Sequence, residues 1–262
     1  MKRTKIEIDF KGFPEEFHPF LKRATVYDSS CSPEARVYFL DLEGGLYLKT
    51  SASGSLKKEA LMDDFFFKKG LGGPEVVKYI EGERDWLLTA RVKGEDCTHA
   101  DYLADPQRLC DLLASKLREL HETDCSDCPI SDHTGNYLAT AEKNFKTGNY
   151  DSSLFPDNWG YKSAEEAWKV LEEGKHILKT DTLLHGDYCL PNVMLDNWNF
   201  SGFIDLGNGG VGDRHVDLFW GAWTLNFNLG TDEYRERFFD AYGRDKIDGD
   251  ALKVIAAAEV FG

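Results

Sequence analysis

Two regimes of hydrophobic patterning divide the chain. Up to about residue 92, apolar positions come in short β-rich runs: Ala24-Thr25-Val26-Tyr27, Arg36-Val37-Tyr38-Phe39-Leu40, Leu46-Tyr47-Leu48-Lys49, Val76-Val77-Lys78-Tyr79-Ile80 and Trp86-Leu87-Leu88-Thr89-Ala90. Runs of this length, bounded by turn-forming residues, read as strands, and Gly44-Gly45 is a tight hairpin signal. One helix, expected over 55–69, interrupts them. From about residue 95 the apolar period lengthens. Asp105-Pro106 supplies an N-cap followed by proline at the first helical position, and Leu109, Leu112, Leu113, Leu117 and Leu120 then form a helical stripe ending near His121. Ser163-Ala164-Glu165-Glu166 is a capping box that opens a helix expected to reach Leu178. Three more helices are expected over 214–226, 231–242 and 250–261. There is no internal repeat. The pattern predicts an α+β protein with a β-rich N-terminal lobe over 1–92 and a larger, mostly helical lobe over 93–262, joined near Thr89-Ala90-Arg91-Val92-Lys93-Gly94.

Residues 184–207, LHGDYCLPNVMLDNWNFSGFIDLG, obey neither regime. Val193-Met194-Leu195 and Phe200-Ser201-Gly202-Phe203-Ile204 are strand-like, and Asp196-Asn197-Trp198-Asn199 supplies turn chemistry. Asn192 and Asp205 are equidistant from the middle of that turn. An antiparallel pair therefore sets them opposite each other at the open end of the hairpin, about 5 Å apart. Two oxygen donors so placed suit a hard divalent ion such as Mg²⁺ alongside phosphate oxygens. Asp187 precedes Asn192 by five residues, on the entering loop, where a carboxylate could accept a proton from a substrate hydroxyl.

Composition narrows the setting. With 262 residues the chain is long enough for two lobes, and its 42% hydrophobic content is ordinary. No run is as long as a membrane span, and the opening MKRTKIEIDFKG lacks a signal-peptide core, so a cytoplasmic protein without a membrane partner is expected. Six scattered cysteines do not form a disulfide framework. A formal charge of −15 argues against nucleic-acid binding and draws in cationic ligands. His121, Cys125, Cys128 and His133 carry the residue types of a structural zinc site, at compact spacing.

The spacing from Asp187 to Asn192, followed by a further Asp, matches the kinase catalytic-loop pattern, with HGD in place of HRD and DLG in place of DFG. The wording LLHGDYCLPNVMLDN…FSGFIDLG resembles the aminoglycoside phosphotransferases more closely still, above all the 3′-hydroxyl group of these antibiotic-resistance kinases. The resemblance implies a bilobal protein-kinase-like fold. It also implies transfer of the γ-phosphoryl group of a nucleoside triphosphate, ATP or GTP, with Mg²⁺, to the 3′-hydroxyl of a cationic aminoglycoside. Asp187 would be the catalytic base or orienting carboxylate, and Asn192 and Asp205 the metal ligands. Lys49 would contact the α- and β-phosphates and pair with Glu59. Ser32, in a glycine-free loop over 28–35, would face the phosphates. Tyr47 would lie against the base, whose edge would meet the backbone of Ala90 to Val92. Asp217, in RHVDLFW, would hold the catalytic loop by accepting backbone N–H bonds. Acceptor binding would fall to Asp157, Glu259, Phe261 and Asp187.

This chain departs from the family pattern mainly on the acceptor side. Near the C-terminus one of two acids is absent, and Gly262 follows Phe261. Gly160, Trp223 and Asn208 replace an acid and two arginines. Another amine-bearing alcohol or sugar as acceptor, or a non-catalytic pseudokinase, are the alternatives. Retention of Lys49, Asp187, Asn192 and Asp205 speaks against the pseudokinase. A monomer or weak dimer is expected.

Overall fold

The β-rich runs near the N-terminus pair mostly with their neighbours in sequence. Strands β1 (Thr4–Lys5), β2 (Thr25–Asp28), β3 (Arg36–Asp41), β4 (Leu46–Ala52), β5 (Val76–Ile80) and β6 (Arg84–Ala90) form an antiparallel sheet in the order β1-β2-β3-β4-β6-β5. The computed structural model that shows this describes residues 3–31, 33, 35–151, 160, 161 and 163–262. Side chains alternate across the pleat, so each strand serves two faces. On β4 and β6, Leu48, Trp86 and Leu88 pack into a core with Phe17, Leu21, Val26 and Leu40. Tyr47, Lys49, Leu87 and Thr89 face the other way and line a cavity.

The helix after β4, α2 (Lys57–Lys68), follows the short α1 (His18–Leu21). It starts two residues later than the pattern suggested because Asp85, wholly buried, holds the preceding turn. Its carboxylate accepts from Gly54 N–H at 2.9 Å, Leu56 N–H at 3.0 Å and the Tyr79 hydroxyl at 2.9 Å. Those donors hold the Asp85 carboxyl below its usual range against the opposing effect of burial.

The expected hairpin forms from Val193–Asp196 and Asn199–Phe203, and joins β7 (Glu95–Asp96) in a three-stranded sheet. Asn197 and Trp198 turn the chain at φ 51° and 66°, the left-handed pair that suits a two-residue hairpin loop. The hairpin packs with the N-terminal sheet, not with the helices as the 93–262 boundary implied. Phe203 N–H donates to Gly72 O at 2.9 Å, and a Cβ on Gly202 would lie 2.0 Å from that oxygen. Glycine is therefore required at 202. Compact units accordingly comprise Met1–Asp96 with Met194–Gly207, and Cys97–Val193 with Asn208–Gly262.

The second unit contains α3 (Ala100–Leu103), α4 (Pro106–His121), α5 (His133–Thr147), α6 (Ala164–Gly174), α7 (His215–Leu229), α8 (Tyr234–Tyr242) and α9 (Gly249–Ala258). Strands Thr182–Leu184 and Gly210–Gly212 pair antiparallel beside them. The α4 caps and stripe match the sequence reading: Asp105 accepts from Arg108 N–H at 3.3 Å, and Leu109, Leu113, Leu117 and Leu120 are buried. Helix α6 begins on Ser163, whose Oγ accepts from Glu166 N–H at 3.1 Å. It stops at Gly174, short of Leu178, and a 3₁₀ turn over Lys175–Ile177 continues the chain. Helix α5 was not anticipated. Packing of α5, α6 and α9 buries Ala141, Ala164, Ala167, Leu171, Val254 and Phe261. No helix among the described residues is long and apolar enough to cross a membrane.

Candidate active site

In the first unit, β4 directs Lys49 into the cavity, where three carboxylate oxygens meet it. Nζ lies 3.0 and 2.8 Å from Glu59 Oε1 and Oε2 and 2.8 Å from Asp205 Oδ1. Burial disfavours the ammonium, but Asp205 and Glu59 more than compensate and hold Lys49 charged well above the usual lysine range. Glu59 occupies the first turn of α2, where a carboxylate also suits the helix dipole. Asp205 follows the hairpin at φ 59°, and its side chain is 54% exposed. Its second oxygen accepts no hydrogen bond among the described residues, so the group can both pair with Lys49 and face a ligand.

The cavity, about 210 Å³, also contains Tyr47, Ala90, Val92, Met194 and Ile204. Val92, Met194 and Ile204 supply apolar walls suited to a planar base, and the hairpin residues Met194 and Ile204 were not recognised as such from sequence. Tyr47 is half-buried and accepts a 2.7 Å hydrogen bond from Arg3, whose guanidinium lies 3.6 Å from the Phe39 ring centre. Two donors of the expected backbone edge at 90–92 are already engaged. Ala90 N–H donates to Glu75 O at 2.9 Å and Arg91 N–H to Gly45 O at 3.1 Å, because the strand pairing continues past the point where the pattern stopped. Neither donor is available to a base. Ser32 lies outside the described residues; around it, Ser30 N–H bonds Asp28 Oδ1 at 2.9 Å and Val37 N–H bonds Ser30 Oγ at 3.0 Å.

Asp63, one helical turn after Glu59, was missed. It is 2% exposed, its Oδ1 has no hydrogen-bond partner among the described residues, and it lines the same cavity. Burial, then the nearby Glu59 and Asp205 charges, push its carboxyl well above the usual range. A raised carboxyl pKa means that the folded state binds more protons than the unfolded one. Stability therefore falls as pH rises from about 4 toward the folded pKa. Asp63→Leu is expected to stabilise the ligand-free protein by about 1–3 kcal/mol at pH 8. The gain should shrink toward pH 5 in thermal melts. A gain that does not vary with pH would show that Asp63 is not held neutral by its surroundings.

In the second unit the organising group is Asp217, fully buried in the first turn of α7. Its Oδ2 accepts from His185 N–H at 2.7 Å and from His121 Nε2 at 3.1 Å; its Oδ1 accepts from Gly186 N–H at 2.8 Å. Burial alone would raise the Asp217 pKa, but these donors hold it below the usual range. Burial likewise lowers the His121 pKa, so the imidazole is neutral. With Nε2–H directed at Asp217, His121 Nδ1 accepts from the Tyr242 hydroxyl at 2.8 Å. Gly186 sits at φ 85°, and a Cβ there would lie 2.1 Å from Asn208 O. Further along, Tyr188 donates to Leu113 O at 2.8 Å and Leu190 N–H donates to Thr224 Oγ1 at 3.1 Å.

On the loop so fixed, Asn192 Nδ2 donates to both the Asp187 carbonyl and Asp187 Oδ2, each at 2.9 Å. The amide therefore orients the carboxylate and keeps its own Oδ1 as an acceptor. Asn192 ends a 3₁₀ turn over Leu190–Asn192, and Asp205 follows the last strand residue, Phe203. Both lie outside the strands, so cross-strand register does not position them as the sequence argument supposed. Burial and the Asp187 charge raise the Cys189 thiol far above its usual range, which leaves it unreactive.

Glu259, in the 3₁₀ turn after α9, is 7% exposed. Its Oε1 accepts from the Tyr137 hydroxyl at 2.7 Å and from Trp220 Nε1 at 3.1 Å. Burial, with a smaller contribution from the Asp187 charge, raises its pKa to about 7. Tyr137 lies on the unanticipated α5, and neither it nor Trp220 was singled out in the sequence. Phe261 is corrected: it is wholly buried, 5.5 Å from Phe145 and 5.8 Å from Trp168 between ring centres, and is a packing residue. Asp157 lies outside the described residues. The zinc reading does not survive the geometry. His121 is engaged with Asp217, Cys125 Sγ lies near Asp181 O and Cys128 Sγ near Ile130 O. Among the described residues no three potential metal-ligating side chains cluster.

The fold is that of kinase-like small-molecule phosphotransferases. A crystal structure of an aminoglycoside-3′-phosphotransferase of type VIII matches 95% of this chain and 100% of its own at a TM-score of 0.76, with 24% identity. A Streptomyces rimosus aminoglycoside phosphotransferase in complex with ADP and streptomycin matches 98% and 100% at 0.73, with 21% identity. The chain belongs to the Phosphotransferase enzyme family, whose profile matches residues 33–254. A probable aminoglycoside 3′-phosphotransferase of Lactococcus lactis subsp. lactis strain IL1403 is 52% identical over 258 residues, 98% of each chain. An aminoglycoside 3′-phosphotransferase of Niallia circulans is 31% identical over 180 residues, 69% of this chain and 68% of its own.

Proposed function

We propose that this protein transfers the γ-phosphoryl group of ATP or GTP to the 3′-hydroxyl of an aminoglycoside, and so confers resistance to it. The observation that carries the reading is the Asp187 carboxylate fixed by Asn192 at 2.9 Å, on a loop anchored to buried Asp217. Such a carboxylate is suited to orient an alcohol and take up its proton. The 52% identity to a relative named for this activity supports the acceptor class.

Each residue then has a task. Lys49, held charged by Glu59, contacts the α- and β-phosphates. Tyr47, Val92, Met194 and Ile204 enclose the base, and the family resemblance assigns Ser32, outside the described residues, to the phosphates. Asp205 and Asn192 are the magnesium ligands. The donor set fits a hard cation, since each residue keeps an oxygen free of competing hydrogen bonds among the described residues. When bound, magnesium neutralises phosphate charge. Asp187, Glu259 and Asp157 receive the cationic acceptor. A cytoplasmic location suits both the nucleotide donor and the six cysteines, none of which is in a disulfide.

Incubation with Mg²⁺, ATP or GTP, and kanamycin or neomycin, read by mass spectrometry, should show the antibiotic gaining one phosphoryl group. Nucleotide binding without modification of any aminoglycoside would overturn the acceptor. The pKa of Glu259, about 7, adds a pH dependence. The carboxylate form, which attracts ammonium groups, is lost as pH falls through that value. The KM for kanamycin should therefore rise by about tenfold from pH 8 to pH 6, one pKa unit below the midpoint. In Glu259→Gln the KM should be high and flat over that range. An equally steep profile in the variant would assign the titration elsewhere.

A further inference from the structure

Tyr27, Phe39, Tyr47 and Thr89 pair successively across β2, β3, β4 and β6 and so stand at one level of the N-terminal sheet. Side chains at one level share a face, and Tyr47 and Thr89 line the cavity there. The aromatic members form a row. Ring centres of Tyr27 and Phe39 are 6.2 Å apart, and those of Phe39 and Tyr47 5.2 Å. Arg3, just ahead of β1, lies against this row. Its guanidinium carbon is 3.6 Å from the Phe39 ring centre and 5.7 Å from that of Tyr47, and its Nη2 donates to the Tyr47 hydroxyl at 2.7 Å. The backbone behind it is anchored: Thr4 and Lys5 pair with Asp28 and Tyr27, and Ile6 N–H donates to Val26 O at 3.0 Å. Gly45 leaves room for the same Phe39 ring, which a Cβ at 45 would approach to 2.9 Å. The chain has 46 acidic residues, yet Arg3 is held by two aromatic side chains instead of a carboxylate, so an ordinary surface ion pair does not account for it.

We infer that Arg3 is a positioning residue for the nucleotide: it fixes the Tyr47 ring in the orientation that meets the base. This rests on the nucleotide reading of the cavity and not on the identity of the acceptor. A tyrosine free to change rotamer must be immobilised when a base stacks on it, and that ordering weakens binding. Arg3 removes the ordering from the binding step. Stacking on Phe39 fixes the plane of the guanidinium, and the hydrogen bond then fixes the phenol oxygen of Tyr47. Arg3 itself does not line the cavity, so it acts through Tyr47 and takes no part in phosphoryl transfer.

The test is calorimetric titration with ATP and Mg²⁺, together with steady-state kinetics, on Arg3→Met, Arg3→Lys, Tyr47→Phe and the Arg3→Met/Tyr47→Phe double variant, with thermal melts as the check on folding. Arg3→Met, which keeps the length but loses the donor, should weaken ATP binding and raise the ATP KM by about three- to tenfold, the size of one partly exposed hydrogen bond. Its kcat should stay within about twofold of wild type. Arg3→Lys, which retains a donor, should bind ATP more tightly than Arg3→Met. Tyr47→Phe should reproduce the loss, and the double variant should bind no worse than the weaker single variant, because both remove the same contact. A role confined to holding β1 would lower the melting temperature and leave the ATP affinity of the folded variants unchanged, which overturns the inference. Additive losses in the double variant also overturn it. If Arg3→Met binds ATP normally while Tyr47→Ala does not, Arg3 is removed and Tyr47 keeps its place against the base. If Tyr47→Ala binds ATP normally as well, the placement of Tyr47 falls too. The titration needs no acceptor, so its outcome is separate from whether any aminoglycoside is phosphorylated.

Discussion

Asp187→Ala is expected to reduce kcat by about a thousandfold, within the 10²–10⁴ range for removal of a positioned general base, while the nucleotide dissociation constant stays within about twofold. The two readouts separate because the chain separates the tasks. Lys49, Glu59, Asp205 and the cavity they line belong to the sheet-based unit, whereas Asp187 belongs to the helical one. Local structure should survive the change. Cys189 N–H bonds the Asp187 backbone carbonyl at 2.8 Å, and Asn192 Nδ2 bonds the same carbonyl at 2.9 Å, so neither interaction needs the side chain. Asn192 Nδ2 loses its carboxylate partner and the reacting alcohol loses its acceptor. Nucleotide titration calorimetry and a coupled turnover assay on the same preparation make the comparison. Turnover at the wild-type rate would remove Asp187 from the chemistry.

The residues legible in the sequence were those whose role follows from local periodicity. Lys49 closes a strand-like run in which Leu46 and Leu48 mark the core side, so alternation alone sends the lysine to the opposite face. Glu59 follows ten residues later on a helix. What stayed hidden depends on contacts between distant segments. Asp63 reads as one of several acids on a polar helix, and only the packing of α2 on the sheet makes it a buried carboxyl whose Oδ1 has no hydrogen-bond partner among the described residues. Helix α5 was obscured by Gly135, Asn136, Thr140 and Asn144, although Asp132 caps it and Gly148 ends it in the left-handed region. Its loss hid Tyr137, and with it the environment that raises the Glu259 pKa. Phe261 shows the converse. Similarity of the terminal residues suggested a contact with acceptor, yet Phe145 and Trp168, both more than ninety positions earlier, enclose the ring. The engagement of the Ala90 N–H was likewise hidden, because its acceptor, Glu75, lies outside any recognised strand.

Asp217→Ala is the substitution expected to cost the most stability, because it removes one acceptor from three donors at once. His185 N–H, Gly186 N–H and His121 Nε2 all point at a carboxylate with no exposure to solvent, and each would be left unpaired in the interior. Breaking a buried, hydrogen-bonded charge network of this kind costs about 3–5 kcal/mol. At roughly 2–4 °C per kcal/mol for a protein of this size, the melting temperature should fall by about 10 °C. The folded-state pKa of Asp217 lies below the usual carboxylate value, so its contribution is present above about pH 4 and is lost as pH falls through the folded pKa. The gap between wild type and variant should accordingly be wide at pH 7 and narrow below pH 4. The local consequence is distinct from the global one. With Asp217 gone, the backbone at 185 and 186 loses its anchor while the Tyr188–Leu113 and Leu190–Thr224 bonds remain. Hydrogen exchange should therefore rise at His185 and Gly186 under conditions where α4 and the Leu190 amide remain protected. Turnover should fall by at least tenfold even where the variant is fully folded. A folded Asp217→Ala variant with native exchange at 185–187 and full activity would show that the loop holds its shape without the buried carboxylate.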